Sequence, residues 1–415
     1  MFFIFYSLWT LAFAKSEENV QTWDIGEGQI VRLIRATAAG EGPPPSGIRL
    51  PLSLPATLTS MSLPWKEVTD EFVYSGRERN GGEEKAGATV RGSVAEVGAW
   101  ASSGAAGGRW RYHGSPITPA LDQDWVHSTC VGEGDGWHWN GNWSLPVEMH
   151  QWLSTEGAVT RAHYDAYNNV FMQVQGQKEA ALWSHSRLHK ESGDCQGILP
   201  VAPHMEPQAR QVAASVDRNV CPPDVLVVLA PGDVLHIPAM VLHEFSVPRL
   251  SDDVSVAYSL NAWTESHAST LFDDALRLPL PLEEDQLAQE VGATILARFL
   301  TVIASRLGLH HISDELDTLL THRHFMNSTE PIDATACSAF TAPAPSPTLP
   351  PPDNNKIRAR AAPVAATLAA TRPIVGESGS KTLFFDYVEE LAYFVGGGER
   401  SVEDVLQCLR WMSGH

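Results

Sequence analysis

The sequence predicts a mainly β core followed by a helical C-terminal appendage. Between Tyr112 and Trp263, short apolar runs alternate with turns that contain Gly, Pro, Asn and Asp, which is typical of an all-β domain. After Trp263, apolar residues recur at spacings of three and four over 283–307, which indicates an amphipathic helix. Hydrophobic residues make up 43% of the 415, so a sizeable core can be buried and wholesale disorder is disfavoured.

Apolar runs predict the strands of the core in order along the chain. They are 149–155, 169–175, 178–183, 224–230, 234–238 and 254–263. Turn residues separate them, at Gly176 and at Pro231-Gly232-Asp233 for example. Residues 184–223 form a long polar loop, and loops of that length on a compact scaffold are often functional.

Shifts in composition divide the chain into segments. The predicted segments are a signal peptide at 1–14, a variable N-terminal region at 15–109 with a flexible Gly/Ala-rich insertion at 81–108, the core at 110–265, a helical region at 266–340, a Pro/Ala-rich linker at 341–374 and C-terminal helices at 375–415. Two amphipathic helices are predicted in the last segment, over 382–395 and 402–412. Their apolar faces need a partner, which is either the core or a second subunit.

The charge balance bears on the class of partner. The chain has 29 Lys and Arg against 49 Asp and Glu, a net charge of −20. Such a chain repels phosphate backbones, which disfavours nucleic acid and suits a basic peptide or protein. Acidity that only keeps the protein soluble is the alternative. After the N-terminus no stretch offers about twenty apolar residues, so no interior transmembrane helix is expected.

The first fourteen residues are almost wholly apolar and end in Ala12-Phe13-Ala14, a cleavage pattern of secretory signal peptides. A secretory or endoplasmic-reticulum location follows. Because no basic residue precedes the apolar run, the cytoplasm or nucleus stays open as the alternative. Two glycosylation sequons, at Asn142 and Asn327, fit the secretory interpretation.

The five cysteines are an odd, widely spaced set, which predicts neither a disulfide framework nor a CxxC zinc site. Cys195 and Cys221 bracket one loop and could pair in an oxidising lumen.

The most informative motif is Thr160-Arg-Ala-His163-Tyr-Asp165. Residues two apart on a strand point to the same face, so His163 and Asp165 project side by side. An imidazole and a carboxylate are two of the three ligands of a facial 2-His-1-carboxylate iron site. The third ligand should come from an adjacent strand, and 231–245 offers His236 and His243. An isolated HxD pair is more often a surface pair.

The residues around this motif favour a ligand pocket. Lys178 shares a strand face with apolar residues, where a lysine is costly unless an anion meets it. The alternative is a lysine that extends from the strand end into water. Asn261 lies on a small, polar strand face that leaves room for a ligand, and Thr160 could offer a hydroxyl to the same cavity.

The run from Thr160 to Lys178 resembles the signature of the cupin-8/JmjC family, in particular its asparaginyl hydroxylases that inhibit hypoxia-inducible factor. The family pattern is HxD, an Asn shortly after, a Lys, a PGD turn before a strand ending in Ile-Pro, a distal His and an N-x-W strand. The matching residues are His163, Asp165, Asn169, Lys178, Pro231-Gly232-Asp233, Ile237-Pro238, His243 and Asn261-Ala262-Trp263. The resemblance covers residues 110–265.

The resemblance implies a double-stranded β-helix, or jelly roll, and a protein hydroxylase that uses Fe(II), 2-oxoglutarate and O2. It implies that His163, Asp165 and His243 bind the iron, and that His236 is a packing residue. By the same match, Lys178 pairs with the distal carboxylate of 2-oxoglutarate. The further cosubstrate and pocket residues that it implies are Thr160, Tyr112, Asn169 and Asn261.

The resemblance also bears on the surroundings of the site and on the oligomeric state, and other functions remain as alternatives. Seven of the 13 tryptophans lie between Trp100 and Trp152, and the resemblance places them around the outer wall of the site. It also implies a homodimer through the C-terminal helices. A lysine demethylase, a non-catalytic metal-binding cupin and a zinc hydrolase are the alternative functions, and the sequence does not identify a substrate.

Overall fold

The structure, a computed structural model, describes residues 20–26, 29–35, 59–68, 89–103, 109–116, 148–188, 195, 218–248, 256–282, 290–309, 311–323, 337, 353–396 and 402–414. The predicted signal peptide, both sequons and most of the loop at 184–223 lie outside the described residues.

The described strands form two antiparallel sheets. Their bounds are β1 (Val20–Asp24), β2 (Ile30–Ile34), β3 (Leu63–Val68), β4 (Thr89–Gly92), β5 (Trp110–Pro116), β6 (Glu148–Thr155), β7 (Val159–His163), β8 (Asn168–Gln175), β9 (Lys178–Trp183), β10 (Val225–Leu229), β11 (Val234–Ile237), β12 (Leu242–Ser246) and β13 (Val256–Thr264). The larger sheet has the order β1-β2-β11-β8-β13-β6-β5-β3-β4, and the smaller sheet has the order β10-β9-β12-β7. All six predicted runs form strands, which confirms the mainly β core.

The two sheets pack on each other through an apolar core. Phe171 of β8 stacks on Phe245 of β12, with the ring centroids 4.3 Å apart. Ala180 and Leu182 of β9 are buried in the same cluster as Leu235 of β11. Because side chains alternate along a strand, Lys178 shares this inward face of β9. The space between the sheets is therefore where the predicted site residues converge.

Six of the described helices follow the last strand and bury a second core, while α1 and α2 lie between strands. Their bounds are α1 (Val94–Ser102), α2 (His185–Leu188), α3 (His267–Arg277), α4 (Glu290–Arg306), α5 (Ile312–His322), α6 (Asn354–Ala369), α7 (Arg372–Gly396) and α8 (Val402–Gly414). The helices predicted over 382–395 and 402–412 are confirmed by α7 and α8, and the one predicted over 283–307 is confirmed by α4 over Glu290–Arg306, while 283–289 lie outside the described residues. Their apolar faces meet in one cluster that includes Phe299, Phe384 and Leu406. No described helix has the length and apolarity that a bilayer crossing requires. A homodimer through these helices stays a prediction.

The linker predicted at 341–374 is wrong from Asp353 onward, where Asp353 caps α6 and the helix begins at Asn354. The Asp353 carboxylate caps this helix by accepting hydrogen bonds from the backbone N–H groups of Asn355, at 2.9 Å, and Lys356, at 3.4 Å. Alanine is the strongest helix former, so the Ala-rich part of the segment is helical despite Pro363.

The flexible insertion predicted at 81–108 is also wrong for 89–103, which forms β4 and α1. Ser93 and Glu96 make a capping box at the start of α1. The Glu96 backbone N–H donates to the Ser93 hydroxyl at 3.3 Å, and the Ser93 backbone N–H donates to the Glu96 carboxylate at 2.7 Å. This S-x-x-E pattern is visible in the sequence and is the signal that outweighs the glycine content.

The prediction that the cysteines form no disulfide framework is wrong, because the described residues contain two disulfides. Cys195 pairs with Cys221, 26 residues apart, as the loop position allows. Cys337 pairs with Cys408, 71 residues apart. The second pair is invisible in the spacing because only the packing of α8 brings Cys408 to Cys337.

Candidate metal centre

His163, Asp165 and His243 come together where β7 ends. His163 is the last residue of β7 and pairs directly with His243 of β12, and their ring centroids are 4.4 Å apart. Asp165 follows two residues later, and one ligand atom of each side chain lies within 4.8 Å of the other two. Of the residues that the structure describes, this is the group of three or more His, Cys, Asp or Glu that could hold a metal. Its donors are those of a facial 2-His-1-carboxylate site.

The His243 ring is prepared for metal binding by its environment. Its Nδ1 lies 2.9 Å from the Val241 carbonyl oxygen, so Nδ1 carries the proton and donates. The Nε2 atom is left for a metal and lies 3.7 Å from Asp165 Oδ2. Burial, and then the neighbouring His163, lower the pKa of His243 to about 4. His243 is therefore neutral near neutral pH, which is the form that binds metal.

The Asp165 carboxylate is oriented by a series of hydrogen bonds. The Trp263 indole N–H donates to its Oδ2 atom at 2.9 Å, and the Asn169 amide donates to the same atom at 3.1 Å. The Asn261 amide in turn donates to Asn169 Oδ1 at 3.0 Å. Hydrogen bonds of this kind hold metal ligands in position and tune their affinity. Asn169 and Asn261 thus lie beside the ligands, as the resemblance implied.

Lys178 lies at the inner end of the same cavity. Only 3% of the residue is exposed, its Nζ donates to the Ser259 hydroxyl at 2.9 Å, and it lies 5.3 Å from the Phe171 ring centroid. Within the described part of the chain, no carboxylate pairs with it. Burial lowers the pKa of Lys178 to about 7. The lysine does not extend into water, so its burial calls for an anion.

All the predicted site residues line one pocket. The lining residues are Tyr112, Trp152, Thr160, His163, Asp165, Asn169, Phe171, Lys178, His243, Phe245, Asn261 and Trp263. Tyr112 and Thr160, for which no role followed from the residues alone beyond a hydroxyl, thus face the same space as Lys178. Their bonds to a cosubstrate stay predictions.

Aromatic rings form one wall of this pocket. Trp152 and Trp263 meet edge to face at 6.3 Å between ring centroids, and Tyr112 lies 5.6 Å from Trp152. Gly114 of the neighbouring strand makes room for the Trp152 ring, because a Cβ at that position would overlap it. Of the tryptophan-dense segment, Trp152 therefore lines the pocket and Trp110 packs against its wall.

Sequence reasoning missed some residues of the site and left the third ligand open between His236 and His243. The sequence marks Trp263 only as the end of the N-x-W motif, although its indole N–H donates to Asp165. Phe245 lies two residues after His243, so strand alternation could have placed it on the same face. His236 lies on β11 of the larger sheet, opposite Val170, and is not part of the ligand group. The structure thus brings His243, not His236, to the other ligands.

Residues 139–268 match the family model described as a cupin-like domain. The match covers less than a third of the chain. The matched segment runs from the residues before β6 into α3 and contains the three candidate ligands and Lys178, while Tyr112 precedes it. The match confirms the family resemblance over these residues.

Some solved structures show a partial likeness to this chain. One is the ribosomal oxygenase YcfD from Escherichia coli in complex with cobalt and 2-oxoglutarate, at 17% identity, covering 31% of this chain and 27% of that chain, with a TM-score of 0.18. Another is a cupin 2 conserved barrel domain protein from Rhodopseudomonas palustris, at 12% identity, covering 38% and 62%, with a TM-score of 0.19. The DMSP lyases RdDddP and RnDddQII are a third case, at 11% identity, covering 29% and 38%, with a TM-score of 0.17. The chain covers less than two thirds of each, so the assignment depends on the family model and the site.

Proposed function

We propose that the protein is an Fe(II)- and 2-oxoglutarate-dependent dioxygenase that hydroxylates a side chain of a protein or peptide and releases succinate and CO2. The observation that carries this proposal is that the ligand triad and the buried cation Lys178 line one pocket. 2-Oxoglutarate matches both, because its 2-oxo acid end chelates a metal and its distal carboxylate is an anion that can pair with Lys178. The two sheets are proposed to form the double-stranded β-helix of this enzyme class.

The residues present fit a divalent iron. Two imidazoles and one carboxylate form the donor set that leaves positions open for a chelating acid and O2. His243 is neutral and correctly oriented, and Asp165 is held by Trp263 and Asn169. When bound, Fe(II) supplies the activation of O2 that oxidises 2-oxoglutarate and the substrate.

The chain's own side chains bind and orient the reactants. The Lys178 ammonium, held by Ser259, neutralises the distal carboxylate of 2-oxoglutarate, and the hydroxyls of Thr160 and Tyr112 donate to it. The aromatic wall around Trp152 keeps water from the cavity, which strengthens these electrostatic contacts. The buried Oδ1 atom of Asn261 has no partner within the described residues and faces the pocket as an acceptor.

The charge of the chain and the class of activity together suggest the substrate. A net charge of −20 favours a basic polypeptide over nucleic acid. The test is a succinate-release screen of the Fe(II)-loaded protein against libraries of basic and acidic peptides. Succinate formed preferentially with basic peptides is the expected result, and none with any peptide would contradict the assignment to protein hydroxylation. Formaldehyde release would instead identify demethylation.

We propose a secretory location from the apolar residues 1–14 and the sequons at Asn142 and Asn327. The disulfides support this proposal. Disulfides persist in oxidising compartments, and the described residues hold two. Mass spectrometry of the lumenal protein should find an N-terminus at Lys15 and sugar on Asn142. An unprocessed, unmodified chain would contradict this location.

The buried lysine predicts a particular pH dependence of cosubstrate binding. Lys178 has its pKa lowered to about 7, so it is charged below that pH and loses its charge as the pH rises. The affinity of the Co(II)-loaded protein for 2-oxoglutarate should therefore fall by up to about tenfold per pH unit above about pH 7. Calorimetry between about pH 6 and about pH 9 measures this. An affinity that stays level over that range would show that Lys178 does not bind the carboxylate.

A further inference from the structure

Both segments that carry the metal ligands insert residues into the core that α3 to α8 form, and these six helices are called the helical region from here on. Tyr164, between His163 and Asp165, is fully buried there and does not line the pocket. Ala239 and Met240, from the turn that precedes His243, are buried in the same cluster. The helical region therefore contacts each ligand-bearing segment from behind.

The two segments are also joined to each other. The Met240 backbone N–H donates to the Asp165 carbonyl oxygen at 2.8 Å, and the Ala239 backbone N–H donates to the Asn168 side chain at 3.1 Å. Met240 has a φ of 67°, a left-handed conformation that a residue with a side chain adopts only when its surroundings hold it. The backbone around the ligands is thus fixed by contacts outside the pocket.

A buried polar network fixes Tyr164 within the helical core. Its hydroxyl donates to the Asp386 carboxylate of α7, with Oδ1 at 2.6 Å. Arg323, which follows α5, donates to Asp386 Oδ1 at 2.8 Å, to the Tyr164 hydroxyl at 3.2 Å and to the Glu389 carboxylate. These four residues are each at most 1% exposed. We call them the Tyr164 clamp.

The Tyr164 ring is contacted by the first residue of α2, His185, which in turn contacts α7. His185, just after β9, meets the Tyr164 ring edge to face with centroids 5.2 Å apart. The Thr382 hydroxyl of α7 lies 3.2 Å from His185 Nδ1. The ring and the hydroxyl of Tyr164 are therefore both located by α7.

A network of buried charges adds little net stability, because the cost of removing ions from water offsets their attraction. Its hydrogen bonds are directional, however, and an apolar contact would leave Tyr164 free to shift. We infer that the Tyr164 clamp is a positioning device through which the helical region holds His163 and Asp165 at metal-binding separation. The inference rests on the metal site of the proposed function but not on its 2-oxoglutarate chemistry.

The test uses Co(II) as the probe in the full-length protein. Tyr164→Phe removes one hydroxyl and keeps the ring, so the ligand-bearing segment loses its bond to Asp386. We expect Co(II) affinity to fall about tenfold, as for outer residues that orient metal ligands, and the visible absorption of bound Co(II) to change. The matched control is Tyr387→Phe, which removes the hydroxyl of a buried tyrosine on α7, the helix that carries Asp386. It should leave affinity and spectrum unchanged.

The outcomes separate positioning from mere stability. If Tyr164→Phe and Tyr387→Phe lower the melting temperature alike while Co(II) affinity and spectrum stay at wild-type values, the clamp is only structural and the inference fails. If Tyr164→Phe does not fold, Glu389→Gln loosens Arg323 without touching the ligand segment and should shift the Co(II) spectrum in its place. An unchanged spectrum in that variant overturns the inference. Wild-type protein that binds Co(II) but forms no succinate would reject the proposed function only, and failure to bind Co(II) would reject both.

Discussion

Replacing Asp165 by alanine is expected to abolish succinate formation and to lower metal affinity by more than about a hundredfold. Asp165 is the one carboxylate of the ligand group. Its loss leaves only two imidazoles, and two neutral ligands bind a divalent iron more weakly than the complete set. The removed side chain also leaves the Trp263 and Asn169 donors without their acceptor. Coupled succinate assays and Co(II) titration measure the two effects.

Two variants control this prediction. Asp165→Asn keeps the shape and one oxygen to accept from Asn169 and Trp263, so it should fold as the wild type does while still losing turnover. Asp274→Ala removes an exposed carboxylate of α3 and should change neither property. Turnover that survives in Asp165→Ala would contradict the assignment of the ligands.

Lys178→Met is expected to weaken 2-oxoglutarate binding by about a hundredfold or more while stabilising the metal-free protein. The loss of affinity follows because an anion would be left in the cavity without its cation, which costs about 3–5 kcal/mol when one partner of a buried ion pair is removed. The gain in stability follows because burial lowers the pKa of Lys178 from 10.5 to about 7. That shift corresponds to a cost of roughly 4 kcal/mol near neutral pH.

The pH dependence gives this second prediction its sign. The folded state disfavours the charged lysine, so the cost is fully present below about pH 7 and disappears as the pH rises towards the unfolded value of 10.5. Denaturant unfolding should therefore show the largest advantage of Lys178→Met at neutral pH and little above about pH 10. The control is Lys381→Met, which removes a lysine paired with Glu315 in the helical region. Equal 2-oxoglutarate affinity in the wild type and Lys178→Met would contradict the role of Lys178.

Local periodicity brings out much of the site because most of its residues lie on strands, although Asp165 lies just beyond the end of β7. His163 and Asp165 were paired from their spacing of two, and Lys178 was placed on an inward strand face by the same alternation. The choice between His236 and His243 was beyond this reasoning, because either could lie on a strand beside the pair. It came from the family resemblance, and the register of β12 against β7 places His243 beside His163.

What the sequence does not reveal are contacts between distant segments. The bond from Tyr164 to Asp386 joins residues 222 positions apart, and nothing in either local pattern marks it. The pairing of Cys337 with Cys408 is of the same kind. Composition misled in the other direction at α6, where proline and alanine were grouped as a linker although only the proline-rich part opposes a helix.

We propose that one ligand, 2-oxoglutarate, bridges the metal triad and Lys178 in a single pocket. Calorimetric titration of 2-oxoglutarate into the metal-free protein, the Co(II)-loaded protein and Co(II)-loaded Lys178→Met tests it most directly. We expect tight binding only to the Co(II)-loaded wild type, because both ends of the ligand must be held. Failure of the Co(II)-loaded wild type to bind 2-oxoglutarate would contradict this bridging and favour a metal-binding cupin without oxygenase activity.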